Sequence, residues 1–288
     1  MVQSVEAGVE KSGFSVGRIG KPPLPQEHGA WGMVYTSTLV LLLGIGAPIV
    51  PSVLFFLAVS SAFFSQNIVG RYIGGRWVKG MGFWLGVYVS TLALTGFLLV
   101  IPLGKLGVVW IGLAGVAVFL RQSLKARSLG KKLDRSTGGE LLAIAGLTLG
   151  APGAYLMIDG NLHWVAGAAW LGMVLYYFSS VLYVKMLVSG ATFRGDLDAG
   201  QRWRLGSGLA IYHAGLVLVL SLFLLLQPER WAWLIAAGYL PILIRAYVGW
   251  AKLSDKMPPF KHIGYREVAY GLWFAVFSVA GLRMWGFH

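Results

Sequence analysis

Cysteine is absent from the 288 residues, and charged side chains make up only 12% of them. Without cysteine the chain forms no disulfide and has no thiolate to serve as a nucleophile or metal ligand. Acidic residues are especially few, with 11 Asp and Glu against 24 Lys and Arg. Soluble domains carry about 25% charged residues, so the shortage of charge argues against a water-soluble protein.

Apolar residues take the place of the missing charges. They form 57% of the chain, and the mean hydropathy is +0.69. The runs 36–66, 82–120, 139–184 and 207–251 contain few ionisable groups, and each exceeds the roughly 20 residues that cross a bilayer as a helix. The composition therefore predicts an all-α, polytopic transmembrane bundle. In such a bundle the net charge of +13 does not indicate a nucleic-acid partner, because loops beside a membrane are often basic.

A hydropathy window of about 19 residues predicts nine spans. They are 29–46, 50–67, 82–101, 105–121, 139–158, 163–184, 206–226, 230–249 and 265–285. Residues 1–24 are expected to form a flexible cytoplasmic tail, and residues 25–288 the bundle. Because the first apolar run begins only near Gly29, no cleaved signal peptide is expected.

The basic residues are concentrated in every second loop. All but three of the 24 Lys and Arg fall on one side of the nine-span map, and the exceptions are Lys105, Arg230 and Arg283. Cytoplasmic loops carry the excess of Lys and Arg. The pattern therefore predicts a multi-pass protein of the plasma membrane, with its N-terminus in the cytoplasm and its C-terminus outside.

The first candidate for function is the segment PQEHGAWG, at the beginning of the first span. A carboxylate such as Glu27 is favoured near a helix N-terminus, and His28 could carry a proton or contact an anionic headgroup. The alternative is an interfacial cap anchored by Trp31. The catalytic residues are otherwise unknown, and Glu27 and His28 are the candidates for a proton acceptor.

Polar and basic side chains gather where the second and fourth spans end. Gln66, Asn67 and Arg71 have spacings that point them partly together, and Arg121 and Lys125 end the fourth span. These groups either enter a cavity or are ordinary helix ends that snorkel to the interface. In the segment TGGE, Thr137 and Glu140 have capping-box spacing at the start of the fifth span.

The later spans contribute fewer candidates. Lys185 ends the sixth span and Arg266 opens the ninth. Asp196 and Asp198 could share a divalent ion, although a solvated loop is the simpler interpretation. His213 lies inside the seventh span, where an ionisable group is either functional or a neutral, hydrogen-bonded side chain. No clustered His and acid spacing predicts a metal site.

Basic groups with few acids suit an anionic headgroup, and the apolar interior suits a lipid or isoprenoid-like tail. We therefore predict a ligand site at the cytoplasmic mouth of the bundle. Its candidate residues are Glu27, His28, Gln66, Asn67, Arg71, Arg121, Lys125, Lys185 and Arg266.

The stretch PLPQEHGAWG resembles the YwiC-like family of bacterial membrane proteins, whose hallmark is the Glu-His-Gly-Ala-Trp segment before the first span. The resemblance extends over most of residues 24–283. It implies a membrane protein and no particular activity.

A more distant likeness is to the UbiA superfamily of intramembrane prenyltransferases. That resemblance implies nine helices with a cytoplasmic N-terminus, and Asp-rich loops that hold Mg²⁺ against a prenyl diphosphate. Asn67 stands near the first Asn of the superfamily, and KKLDRSTGGELLAIAGLTLGAPGAY is similar to its 4–5 connection and fifth helix. Here, however, the first of these loops has no acid, and the second has only Asp196 and Asp198. We therefore predict no cofactor and do not expect a magnesium site.

Two alternatives remain from the sequence. The first is a divergent, metal-independent prenyltransferase in which Lys and Arg supply the counter-charge. The second is a permease for a small metabolite, although the internal repeats that transporters often show are not visible here.

Overall fold

The fold is a bundle of helices. The computed structural model describes residues 20–25, 28–128, 136–161, 163–193, 197–254 and 259–286, without the side chains of His28, residues 125–128 and Phe260. Eleven helices and no strand occupy these described ranges. The helices are α1 His28–Gly44, α2 Ile49–Ile73, α3 Met81–Val100, α4 Gly107–Ser128, α5 Thr137–Leu147, α6 Gly150–Asp159, α7 Trp164–Gly190, α8 Ala199–Leu226, α9 Arg230–Ala237, α10 Leu240–Ala251 and α11 Phe260–Trp285.

The helices account for all nine predicted spans. Eight stretches are long and apolar enough to cross a membrane, and α1 supplies a shorter ninth. The chain is thus a multi-pass integral membrane protein with the predicted all-α class. The second and fourth spans are longer than predicted, because α2 and α4 continue through their polar ends to Ile73 and Ser128. Hydropathy marks the end of an apolar run, whereas the helix ends where its backbone hydrogen bonds end.

Two spans are each divided into two helices, which the hydropathy pattern did not reveal. The fifth span breaks between α5 and α6, and the eighth between α9 and α10. Pro152 and Pro241 stand one turn beyond these breaks. Proline lacks the N–H donor for the carbonyl four residues earlier and clashes with it.

An indole N–H donates to a backbone carbonyl at each break. Trp273 Nε1 bonds Ala237 O at 3.1 Å, the carbonyl that Pro241 leaves without its helical donor. Trp170 Nε1 bonds Ala145 O at 3.1 Å, near the end of α5. Hydrocarbon offers no such partner, so these indoles stabilise the breaks.

Contacts between helix ends show that the spans alternate in direction. At the sparsely charged end, Lys105 Nζ donates to Ile158 O at 3.3 Å and Arg283 Nε to Leu43 O at 2.7 Å. Trp285 lies there too, stacked on another indole with ring centroids 4.9 Å apart. The end of span five therefore meets the start of span four, and the end of span nine meets the end of span one.

The opposite end, here called the basic end, carries the other helix termini. Arg71 Nη2 at the end of α2 donates to Leu24 O at 2.9 Å, just before α1. Trp250 Nε1 at the end of α10 donates to Arg202 O at 3.1 Å, near the start of α8. The alternation required by the nine-span map is thus present in the described contacts.

Helix α7 occupies the middle of the bundle. Its Tyr176 is 1% exposed and stacks on Phe274 of α11, with ring centroids 4.0 Å apart. The neighbouring Tyr177 hydroxyl donates to Gly32 O of α1 at 2.9 Å. Consecutive residues of α7 therefore face different partners, with Tyr177 toward α1 and Tyr176 toward α11.

Sidedness can be tested with introduced cysteines, since the natural chain has none. We expect Lys79→Cys, at the basic end, to react with an impermeant maleimide only after the cells are permeabilised. Asn161→Cys, at the opposite end, should react in intact cells, because the basic end faces the cytoplasm. Labelling of both cysteines from the same side would contradict the nine-span topology.

Close packing of α11 on α9 gives a stability prediction. A Cβ on Gly281 would lie 2.8 Å from Trp231 O, a backbone atom that cannot move aside easily, whereas a Cβ on Gly271 would meet nothing within 4 Å. We expect Gly281→Ala to destabilise the protein by about 1–3 kcal/mol through overpacking. Gly271→Ala is the matched control, and thermal unfolding in detergent measures both. Equal melting temperatures would show that the α9–α11 contact is looser than described.

Candidate functional site

A cleft opens between α1, α5 and α7 near the basic end. Its volume is about 180 Å³, and its lining is apolar except for one carboxylate. This α1 cleft is lined by Gly29, Ala30, Met33, Glu140, Ala143, Ile144, Leu147 and Val181. Small residues of the first turn of α1 leave room for a ligand beside the helix.

An ion pair lies at the basic end of the α1 cleft. Lys185 of α7 pairs with Glu140 of α5, and its Nζ also contacts Thr137 Oγ1 at 3.3 Å. The side chains are 36% and 25% exposed, so solvent weakens the attraction. The capping box predicted from Thr137 and Glu140 does not form. Ser136 is the N-cap of α5 and accepts from Gly139 N at 3.1 Å, which leaves Glu140 available to Lys185.

The segment before α1 is tied to the end of α2. Besides the bond from Arg71 to Leu24 O, Trp31 Nε1 donates to Pro25 O at 3.0 Å. The Trp31 ring packs edge-on against Phe63, with centroids 5.8 Å apart. Trp31 therefore anchors α1 to its neighbour within the bundle, rather than serving only as an interfacial anchor.

Two amide side chains lie at the depth of the α1 cleft. Asn67 follows Phe63 by one turn of α2, and Phe63 packs near Leu147 of α5. Gln122 follows Val118 by one turn of α4, and Val118 lies against Gly146 of α5. One turn further toward the basic end, both amides are therefore level with Leu142 and Ala143 of α5, about one turn inside Glu140. Asn67 Oδ1 and Gln122 Nε2 are buried and have no hydrogen-bond partner within the described part of the chain.

The structure brings some of the predicted residues together around the start of α1. Arg71, Asn67 and Lys185 approach it from α2 and α7, and Gln66 is half-buried beside Asn67. Arg121 is exposed on α4. Glu27 lies outside the described residues, as do the side chains of His28 and Lys125, so their place in the site stays a prediction.

Arg266 belongs to a second cavity, between α7, α10 and α11. This arginine cavity measures about 170 Å³ and is lined by Tyr183, Arg245, His262, Ile263, Arg266, Glu267 and Tyr270. Val181 and Lys185 on α7 face the α1 cleft, whereas Tyr183 faces the arginine cavity. Arg266 therefore lies in a different cavity from the one that opens beside α1, with α7 between them.

The arginine cavity is built on a buried ion pair. The Arg245 side chain is only 4% exposed, and its Nη1 pairs with Glu267 Oε1. Ser180 Oγ donates to Glu267 Oε2 at 2.6 Å and accepts from Arg245 Nη1 at 3.3 Å. The Tyr183 ring lies under the guanidinium at 4.6 Å. Pairing, hydrogen bonding and the aromatic face together offset the cost of burying this charge.

A chain of hydrogen bonds leads inward from Arg245. Its Nη2 donates to Ser179 Oγ at 2.9 Å, and Ser179 Oγ is 3.0 Å from His213 Nε2. His213 Nδ1 is 2.8 Å from Leu209 O, which can only accept. Nδ1 therefore carries a hydrogen, and Ser179 Oγ, which accepts from Arg245, can donate its own hydrogen to Nε2 of a neutral ring. Both ring nitrogens of His213 are thus hydrogen-bonded within the protein, as one of the two interpretations left open by the sequence requires.

Sequence reasoning missed the role of Arg245. The residue was counted among the basic loop charges, yet it lies inside the predicted span 230–249. An ionisable residue within a span is a functional candidate by default, and Glu267 in the following span was its available partner. That rule, applied to Arg245, would have identified the pair.

Asp198, considered above as half of a metal site, has a structural role. It is the N-cap of α8, and its Oδ1 accepts from Gln201 N at 2.7 Å in a complete capping box. Asp196 lies outside the described residues. The part of the chain that the structure describes holds no group of three His or acidic side chains that could bind a metal ion.

Comparison with known families supports the resemblance noted in the sequence. Residues 24–155 match the family model of the YwiC-like proteins. The YwiC-like region runs from the segment before α1 into α6. It supplies the α1 and α5 walls of the α1 cleft, together with Asn67 and Arg71, whereas the arginine cavity lies beyond it. No curated protein and no solved structure gives a significant match. The more distant likeness to the UbiA superfamily stays a prediction.

The buried ion pair makes a prediction about stability. Glu267→Leu should destabilise the protein by about 3–5 kcal/mol, because it leaves the Arg245 charge buried without its partner. The double variant Arg245→Met/Glu267→Leu should recover most of that loss. Lys185→Met, which breaks a half-exposed pair, should cost about 1 kcal/mol or less. Thermal unfolding in detergent compares the three, and a double variant no more stable than Glu267→Leu would refute the pairing.

Proposed function

We propose that this multi-pass membrane protein binds an amphipathic molecule with an anionic headgroup in the α1 cleft. The observation that carries the proposal is the composition of the cleft, which has apolar walls and ends in a polar layer at the basic end. A ligand with one apolar part and one charged part matches this arrangement of apolar walls and polar end.

The apolar part of the ligand would lie against α1, α5 and α7. Met33, Ile144 and Leu147 line the inner part of the cleft. A volume of about 180 Å³ is below the roughly 300 Å³ at which pockets for drug-sized molecules begin. The cleft therefore suits a segment of a lipid or isoprenoid chain, with the remainder in the bilayer.

The headgroup would lie at the start of α1. Arg71 supplies positive charge, and the first backbone N–H groups of α1 add the positive end of the helix dipole. Lys185 is paired with Glu140, so it contributes an ammonium donor rather than net charge. The unpartnered Oδ1 of Asn67 can accept a hydrogen bond from a hydroxyl of the headgroup at the same depth. We infer that this end faces the cytoplasm from the excess of Lys and Arg there, in the plasma membrane.

Co-purification with lipid tests the proposal. Gly29 lines the cleft, and a Cβ on it would meet nothing within 4 Å. Gly29→Leu should therefore fold and fill the cleft, and it should lose a bound lipid that native mass spectrometry detects in the natural protein. Gly86→Leu is the control, since a Cβ on Gly86 of α3 also meets open space, far from the cleft.

The same experiment tests whether Arg71 contributes to binding an anionic headgroup. Arg71→Ala should reduce the amount of bound anionic lipid, and the exposed Arg76→Ala should not. If the natural protein carries no lipid, or if all four variants carry the same amount, the α1 cleft is not a lipid site.

A further inference from the structure

The arginine cavity presents converging side chains from three helices. His262, Arg266 and Tyr270 are spaced four residues apart on α11, so they lie on one face of that helix. Tyr183 of α7 and Arg245 of α10 form the opposing walls. The cavity is therefore lined by residues from three helices that are distant from one another in sequence.

The charges that line the arginine cavity do not cancel. Two guanidinium groups, Arg245 and Arg266, share it with one carboxylate, Glu267. That carboxylate already accepts from Arg245 and Ser180. An excess of positive charge therefore remains beside the exposed Arg266, even when His262 is neutral. A buried ion pair alone needs neither a second guanidinium nor an open space beside it.

Arg245 also has an unused donor. Its two terminal nitrogens contact Glu267, Ser180 and Ser179. Its Nε is buried and has no hydrogen-bond partner among the described residues. A guanidinium has five N–H donors, and a buried donor without an acceptor is costly. The Arg245 side chain lines the cavity, so a small shift of the lining would let an anion supply that acceptor.

The size and the donor set define the class of anion. A volume of about 170 Å³ admits a small headgroup and excludes a drug-sized molecule, for which pockets begin at roughly 300 Å³. Guanidinium groups on two different helices approach from different directions, which suits an oxyanion with several acceptor oxygens. We propose that the arginine cavity binds an oxyanion of the phosphate class, either as a free ion or as a lipid headgroup, independently of the α1 cleft.

Titration of the full-length protein in non-ionic detergent with inorganic phosphate tests the proposal, with isothermal calorimetry as the readout. Arg266→Ala should weaken binding about tenfold or more, because one charged hydrogen bond to the anion is lost. Lys261→Ala is the matched control, as an exposed cation of the same helix that does not line the cavity, and it should bind like the natural protein. His262→Ala provides a second change of the lining, and the size-exclusion profile checks that each variant is folded.

The two sources of phosphate are separated in nanodiscs. Native mass spectrometry compares retention of phosphatidic acid, against a phosphatidylcholine background, by the natural protein and Arg266→Ala. Binding of inorganic phosphate identifies a free-ion site, and retention of phosphatidic acid that needs Arg266 identifies a headgroup site. Absence of both, or an equal loss with Lys261→Ala, would overturn the proposal. Gly29→Leu should leave phosphate binding unchanged, so failure at the α1 cleft and failure here are distinguishable.

Discussion

Bilayer hydrocarbon offers no hydrogen-bond partner, so the polar groups within the nine spans depend on other groups of the protein. The carbonyl of Ala237 at the break in the eighth span is one case, and the indole of Trp273 satisfies it. The guanidinium of Arg245 is the most demanding case, because it combines a full charge with 4% exposure. Its partners come from α7 and α11, so one buried side chain fixes the positions of three helices and, through Ser179 and His213, of a fourth.

Pairing of polar groups within the protein also determines the charge of the basic end. The described acids there are engaged in local contacts, with Glu140 on Lys185, Glu267 on Arg245, and Asp198 as the N-cap of α8. Few carboxylates thus remain to neutralise the other cations at this end. A surface of this kind attracts anions, which is the physical basis shared by the two proposed sites.

Helix α7 keeps those two sites apart. Val181 faces the α1 cleft, whereas Tyr183, two residues later, faces the arginine cavity. A step of two residues turns a helix by about 200°, which is enough to reverse the exposed face. The YwiC-like match covers residues 24–155 and therefore most of the first site. The second site is built from later helices that this match does not include.

Much of the architecture follows from composition and periodicity alone. Nine apolar runs and the alternating basic loops determined the class, the span count and the relative direction of the helices, because a bilayer imposes length and charge rules locally on each segment. The sequence could not determine which helix faces meet. Arg266 and Lys185 look equivalent as basic helix ends, yet Arg266 lines the arginine cavity, whereas Lys185 pairs with Glu140 at the α1 cleft. That separation depends on the rotation of α7 between its neighbours, which long-range packing fixes and no local pattern records.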